Sequence, residues 1–505
     1  MNLDRQICSQ ARISRDPRFD GRFFIGVLTS GVYCRSICPA RTALERNVRY
    51  FPTAAAAAEA GFRPCLRCRP EASPGTPAWL GSSNTVARAL RLISEGAMEN
   101  GGVDDLAERL GIGGRHLRRL FLRYLGATPL AVAHTRRLHF AKKLIDETNL
   151  PMGEIAIAAG FGSVRRFNGA FQDVYGRTPR QIRLLARVSE TLPENEYSFH
   201  LRFRPPFQWQ KLLEFLAPRA TPGVELVEGD SYRRNISLNG QSGSLAVCLH
   251  SSGLALQVRI SFPDAKLLFL IIERVRRMFD LEADPADMAE HLKSDPVLAH
   301  RIASAPGLRV PGCWEGFELA VRAILGQQVS VKGATTLAGR LVTAFGVQVG
   351  HDQRLTHLFP RPEVLSESDV ARIGLPQKRA ETIRALARAV RDGRVSLESV
   401  DNIEQFHVRL RAIPGLGDWT AQYIAMRALG EPDAFPAGDL GLLRGASVNS
   451  AIELAEHAEA WRPWRAYAAM YLWQVPENVA NKSGEKKLLT MVESKTRTAL
   501  APGAD

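Results

Sequence analysis

The chain has 505 residues, 45% hydrophobic and 23% charged, an ordinary balance for soluble globular domains, and at roughly 150 residues per domain it should hold about three of them. Its net charge of +14 is concentrated: residues 1–187 carry 29 Lys and Arg against 15 Asp and Glu, whereas residues 188–505 carry 37 of each. No apolar run reaches the ~18 residues of a membrane span, and "MNLDRQICSQARISRD" has no apolar stretch ahead of a cleavage site, so the expectation is a cytoplasmic protein with no membrane partner.

A basic excess confined to one third of a chain is the footprint of nucleic-acid binding, because each neutralised phosphate releases condensed counterions. That third opens with two cysteine pairs, "GVYCRSICPAR" (31–41) and "FRPCLRCRP" (62–70). Disulfides, a metal site or a reactive thiol would each use such pairs. In a reducing compartment thiol pairs are more often ligands or reactive groups. Cys34 and Cys38, with three residues between them, and Cys65 and Cys68, with two, have the spacing that wraps four thiolates around one zinc. A structural staple is the simplest use of such a site in a small domain. Four thiolates on a dication nevertheless leave a net charge of about −2 and electron-rich sulfurs. Arg35, Arg41, Arg63, Arg67 and Arg69 surround them and would hold a phosphate there, where a thiolate invites attack on an alkyl group.

These two segments resemble the N-terminal domain of the adaptive-response (Ada) family. The resemblance implies one zinc that both staples the fold and activates a thiolate. It also implies that Cys34 accepts a methyl group from a DNA methylphosphotriester. Methylation lowers the charge of the cluster by one and weakens its repulsion of DNA.

After "PEASPGTPAWLGSS" (70–83), which reads as a linker, an internal repeat begins. "DLAERLGI" (105–112) returns as "EIAIAAGF" (154–161), and "FLRYLGATP" (121–129) as "FQDVYGRTP" (171–179). Each copy reads as helix, glycine turn and second helix, over 115–125 and 163–175, which is a helix-turn-helix. With Leu117, Leu120, Phe121, Phe167 and Phe171 turned inward, Arg115, Arg118, Arg119, Arg165, Arg166 and Asn168 face phosphates and base edges. Two such copies joined by the helix "PLAVAHTRRLHFAKKLIDE" resemble the AraC-type transcription regulators.

Past a junction at 186–197, the segments "YSFHLRFR" and "SLAVCLHSSGLALQVRIS" alternate with helical ones at 207–218 and 265–279, an α+β pattern. From 315 onward the chain reads as helices. In "LRAIPGLGDWTAQYIAMRALG" (410–430), Pro414, Gly415 and Gly417 form a tight turn whose bare backbone admits a DNA phosphate, a helix-hairpin-helix. Asp439 follows in "FPAGDLGLLRG". Trp419, Tyr423 and Trp473 read on their own as core residues or pocket walls, and Asp439 as a helix cap or a catalytic carboxylate.

With "AILGQQVSV", "LPQKRAETI" and "WRPWRAYAAMYLW", this stretch is similar to the 3-methyladenine DNA glycosylase II (AlkA) family across most of 197–480. The resemblance implies an N-glycosyl hydrolase in which Asp439 stabilises charge at the sugar and Trp419, Tyr423 and Trp473 hold a flipped, electron-poor base. Gln328 stands where the family has a leucine wedge, and Leu440 where it has an aromatic residue. Trp419 occupies the position of the lysine used by lyase relatives, and no cysteine quartet for an iron–sulfur cluster follows Cys313, so a monofunctional enzyme is expected rather than a glycosylase/lyase. Cys8, Cys248 and Cys313 read as inert thiols.

The expectation is therefore a multidomain protein, mainly α with α+β. A small zinc domain occupies 1–75 and a tandem helix-turn-helix domain 84–187. An α+β layer at 197–310 leads into an all-helical helix-hairpin-helix glycosylase domain at 311–495. It would be a nucleoid-associated monomer that senses methylphosphotriesters, regulates transcription on promoter DNA with RNA polymerase as a partner, and excises alkylated bases from double-stranded DNA. The competing expectation is a regulator whose glycosylase-like part binds DNA without catalysis.

Overall fold

The computed structural model describes residues 4–74, 84–94, 96–98, 101–185, 192–350, 353–398, 400 and 402–474. The linker beyond Pro74, the junction at 186–191 and the upper ends of the 84–187 and 311–495 readings lie outside the described residues.

The N-terminal region sets the helix Arg5–Ser14 beside a four-stranded sheet in the order Val48–Phe51, Phe24–Val27, Val32–Arg35, Arg63–Pro64. The first three strands are antiparallel and the last is parallel, pairing Val32 with Arg63 and Tyr33 with Pro64. That register brings Cys65 alongside Cys34, which makes one cluster from two distant sequence pairs. The strands themselves were not legible in the sequence, being four residues or fewer.

Helix Asn84–Ser94 precedes the repeat, whose helices span Val103–Arg109 and Gly114–Leu125, then Met152–Ala158 and Val164–Tyr175. Leu117, Phe121, Phe167 and Phe171 are completely buried, so hydrophobic burial fixes each second helix against its partner. Pro129–Glu147 joins the copies as one helix, started by Thr128, whose hydroxyl accepts from the Ala131 N–H, and by Pro129 in the first turn.

The α+β part is a five-stranded antiparallel sheet ordered Glu196–Arg202, Ala255–Ser261, Gln241–Leu249, Ser231–Leu238, Glu225–Glu228. Helices Trp209–Leu216 and Leu268–Met278 match the two expected there. The strands at 225–228 and 231–238 were hidden by their charge. Arg234 is buried within the second, held by Glu318 at 2.7 Å and Glu225 at 3.4 Å. Beyond Trp314 the chain is helical, apart from a two-residue pairing of Val347–Gln348 with His357–Leu358.

Apolar cores cross the junctions. Leu144, Ile145, Phe167 and Phe171 share one core with Phe199, Val258, Ile271 and Phe279. At its edge the Phe140 and Phe269 rings meet edge-on at 4.9 Å, Arg136 pairs with Glu273 at 2.5 Å, and the Lys143 ammonium donates to the His200 carbonyl at 2.8 Å. Among the described residues no helix is long and apolar enough to cross a membrane.

Candidate functional site

Cys34 lies on the strand Val32–Arg35, Cys38 in the turn after it, and Cys65 and Cys68 in the turn after Arg63–Pro64. Their four sulfurs all lie within 4.8 Å of one another. Zinc–sulfur bonds of ~2.3 Å put the corners of a tetrahedron ~3.8 Å apart, so this donor set fits one structural zinc. The Cys38 thiol is drawn down to about 7, chiefly by its hydrogen bond with Cys34, and Cys65 is lowered by the same neighbours. Cys34 and Cys68 are pushed up in return, so without a cation the four sulfurs must share protons. A dication answers that demand with four thiolates.

The arginines around the cluster divide. Arg41, Arg63 and Arg67 are exposed, as a phosphate-facing role requires. Arg35 is not: it is 2% exposed, paired with Asp20, and donates through Nη1 to the Cys68 carbonyl at 3.0 Å. Its backbone N–H also points at the Cys68 sulfur, 3.4 Å away. The strand pleat turns Tyr33 and Arg35 to the buried face and Cys34 to the other, so the Arg35 guanidinium is spent on Asp20 and the cysteine turn rather than offered to solvent. Arg69 stays partly exposed but is engaged by Asp146, at 2.6 Å.

In both recognition helices the expected side chains are exposed: Arg115, Arg118 and Arg119 in the first, Arg165, Arg166 and Asn168 in the second. Arg119 is hydrogen-bonded to His116 at 2.8 Å and Arg118 lies 3.5 Å from Asp104.

The third constellation centres on Asp439. It caps the helix Leu440–Ala446, its Oδ1 accepting from the Gly441 N–H at 2.8 Å and the Leu442 N–H at 3.1 Å. The Trp473 indole N–H also donates to Oδ1, at 2.9 Å, and the Trp419 indole N–H donates to Oδ2 at 3.0 Å. Four N–H donors thus hold one half-buried carboxylate. Trp419 and Tyr423, one helical turn apart, stack at 5.4 Å with an 11° tilt, and Trp473 meets Tyr423 edge-on at 6.3 Å. All three expected aromatic residues therefore stand together around the carboxylate.

The turn of the hairpin joins helices Ile403–Arg411 and Asp418–Arg427. Gly415 has φ +88° and a Cβ there would lie 2.2 Å from the Thr382 hydroxyl, so only glycine fits. Gly417 caps the second helix with open space around it. Gln327, which the sequence did not single out, donates to the Gly415 carbonyl at 3.0 Å and ties the hairpin to the turn before Val331–Phe345. Gln328 is exposed in the left-handed region at φ +57°, and Leu440 is 68% exposed beside Asp439.

Behind the aromatic cluster, Arg427 donates to the Tyr423 hydroxyl at 2.7 Å. Burial alone would raise the Tyr423 phenol, but the charges of Arg427 and Arg219 outweigh it and hold the phenol below its ordinary value. The i,i+4 spacing of Tyr423 and Arg427 was a readable signal that the motif overshadowed. Arg301 went unread as well: it donates to the carbonyls of Tyr471, Leu472, Gln474 and Gly445, pinning the helix end at Trp473 to the helix that Asp439 starts.

Four family descriptions match along the chain. Residues 7–71 match the metal-binding domain of Ada, and 106–184 a helix-turn-helix domain. Residues 198–315 match the AlkA N-terminal domain, and 321–462 the HhH-GPD superfamily of base excision DNA repair proteins. A Mycobacterium tuberculosis protein described as a probable bifunctional transcriptional activator/DNA repair enzyme AlkA is 43% identical over 491 residues, 95% of this chain and 98% of that one. DNA-3-methyladenine glycosylase 2 of Escherichia coli is 31% identical over 278 residues, 54% of this chain and 96% of its own length. Among solved structures, the fold resembles a 3-methyladenine DNA-glycosylase from Archaeoglobus fulgidus, with a TM-score of 0.50 at 23% identity over 55% of this chain and 97% of that one. With its zinc-binding, helix-turn-helix and glycosylase regions in one polypeptide, the chain belongs to the AlkA-type family of bifunctional transcriptional activators and DNA repair enzymes.

Proposed function

We propose that Asp439 is the catalytic carboxylate of a monofunctional glycosylase that releases alkylated bases of the 3-methyladenine type, and that Cys34 is the methyl acceptor of a damage-sensing regulator. The observation that carries the first reading is the pair of indole N–H groups on one carboxylate. An alkylated purine is already cationic, so its glycosidic electrons leave with the base without prior protonation. The carboxylate then faces an electron-deficient sugar carbon, and its four donors keep it oriented while water adds there and loses its proton to solvent. Trp419, Tyr423 and Trp473 offer aromatic faces and edges to the flipped base. Gly415 and Gly417 leave room for the phosphates of the kinked strand.

At the other end, bound zinc keeps the sulfurs as thiolates at neutral pH. The Cys34 sulfur attacks the methyl carbon, an S–C bond forms, and the C–O bond breaks with its electrons on the phosphate oxygen. Exposed Arg41, Arg63 and Arg67 suit the phosphates beside it. Two helix-turn-helix copies in one chain supply the paired major-groove contacts that other regulators obtain by dimerising, which supports a monomer acting at promoters beside RNA polymerase, on the nucleoid. The four units at 1–75, 84–187, 197–310 and 311–495 are the working division.

Incubation of the purified protein with methylated duplex DNA tests both halves at once. The expected products are free alkylated base, an intact abasic strand and protein methylated at Cys34. DNA binding without base release would favour the regulator-only alternative.

A further inference from the structure

Arg427 is 5% exposed, and its guanidinium is shared among three oxygens. Nε donates to the Pro311 carbonyl at 2.7 Å, Nη2 to the Gly312 carbonyl at 3.2 Å and Nη1 to the Tyr423 hydroxyl at 2.7 Å. The same cation lies 5.5 Å from the centre of the Tyr423 ring and 5.1 Å from that of Phe215. Burying a full charge against neutral acceptors is costly, and simple packing would be served as well by an apolar side chain. What the guanidinium adds is geometry. Its planar fork spans the loop between helices Pro296–Ser304 and Gly316–Leu325 and the aromatic residue one turn before it.

A series of direct contacts then runs to the reacting centre. Arg427 holds Tyr423 by its hydroxyl, Tyr423 stacks on Trp419, and the Trp419 indole N–H holds Asp439 Oδ2. We propose that Arg427 is a positioning residue for base excision, which fixes the Tyr423 ring in register with Trp419 and, by occupying its oxygen, turns the phenolic O–H outward as a donor at the edge of the base pocket, a donor that ionisation removes. This rests on the reading of the Asp439 pocket as the glycosylase centre. Guanidinium donation also favours the phenolate, so the ionisation of Tyr423 should be visible in the alkaline limb of the reaction.

The test uses the full-length protein, a methylated oligonucleotide duplex and single-turnover base release across pH, with Arg427→Met, Arg427→Lys, Tyr423→Phe, the Met–Phe double variant and Asp439→Asn. Arg427→Met and Tyr423→Phe should each slow release about tenfold with binding of unmethylated duplex unchanged, and the double variant should be no slower than the slower single one. Arg427→Lys should recover part of the loss. The alkaline limb should move to higher pH in Arg427→Met and vanish in Tyr423→Phe, an effect mere packing would not produce. Wild-type rates in Arg427→Met, losses that multiply in the double variant, or an unmoved alkaline limb would overturn the proposal. Should Arg427→Met fail to fold, Tyr423→Phe alone decides: an unchanged rate and limb would sink it. Undiminished release by Asp439→Asn would mean the pocket itself has been misread. An inactive Asp439→Asn beside a fully active Arg427→Met would remove only the role of Arg427.

Discussion

Tyr33 Oη and His139 Nε2 meet at 3.0 Å, joining the strand that carries Cys34 to the middle of the helix between the two helix-turn-helix copies. Tyr33 is 1% exposed and His139 is partly buried beside it. Next to them Glu71 and Asp146 share the Lys142 ammonium at 3.2 and 2.5 Å, and Arg69, which follows Cys68 directly, reaches Asp146. The metal-binding turn is thus bolted to the regulator at two points, one neutral and one ionic.

Burial pushes the His139 imidazole from 6.5 down to about 4. The unfolded chain therefore takes up a proton near pH 6.5 and the folded one only near 4, so this contribution to stability is lost as the pH falls through that window. By pH 5 the loss should be about 2 kcal/mol. His139→Gln, which keeps a hydrogen-bonding group for Tyr33 but cannot titrate, should be less stable than the wild type at pH 8 and close most of that gap at pH 5. Urea melts at the two values would show it. A gap that is the same at both would mean His139 titrates normally.

Purified protein should hold one zinc, and a methylphosphotriester duplex should label Cys34 alone. Cys34→Ala should abolish labelling, measured by mass spectrometry of peptides. Methyl recovered on Cys65 or Cys68 with Cys34 intact would reassign the acceptor. Because methylation removes one negative charge, promoter affinity should rise and its salt dependence change; equal binding at every salt concentration would end the switch hypothesis.

Asp439→Asn should lower base release by on the order of 10²–10³-fold while leaving the fold intact, since an amide oxygen still caps the helix. Trp419→Phe and Trp473→Phe keep an aromatic face but remove one donor each from the carboxylate, and about tenfold losses are expected. Borohydride should trap no protein–DNA adduct. An adduct with the wild-type chain would require a lysine nucleophile and a different mechanism.

The hairpin glycines should behave unequally. Gly415→Ala forces a side chain into the left-handed region and against Thr382, so it should cost well over 1 kcal/mol and weaken DNA binding together with stability. Gly417 sits in open space with an ordinary φ of −92°, so Gly417→Ala should leave the melting temperature nearly unchanged. Any loss of DNA affinity it causes would then be a direct steric effect on the phosphate. Matching thermal shifts in the two variants would contradict the geometry.

Much of this was legible because the signals are local. Thr128 and Pro129 announce the long helix, and it spans the residues read for it. The cysteine spacing announced the cluster. The burial of Arg35 was not legible, because a four-residue strand does not declare which face is buried, and adjacency to Cys34 in sequence means the opposite face in a pleat. The strand with Arg234 was hidden because its ion-pair partners, Glu225 and Glu318, come from other elements. For Asp439 the sequence offered cap or catalyst. Oδ1 makes the cap, and Oδ2, held by the Trp419 indole, is not used by it, so the geometry is compatible with both.

The core that runs from Leu144 and Phe171 through Phe199 to Ile271 bears on the dosage of the two activities. A protease nick in the junction at 186–197 would not release a free repair enzyme, because parting the halves would bare Phe269 and the apolar face around it. The two activities therefore stay at a fixed one-to-one stoichiometry and share a single lifetime, and turnover of the regulator is also turnover of the repair enzyme.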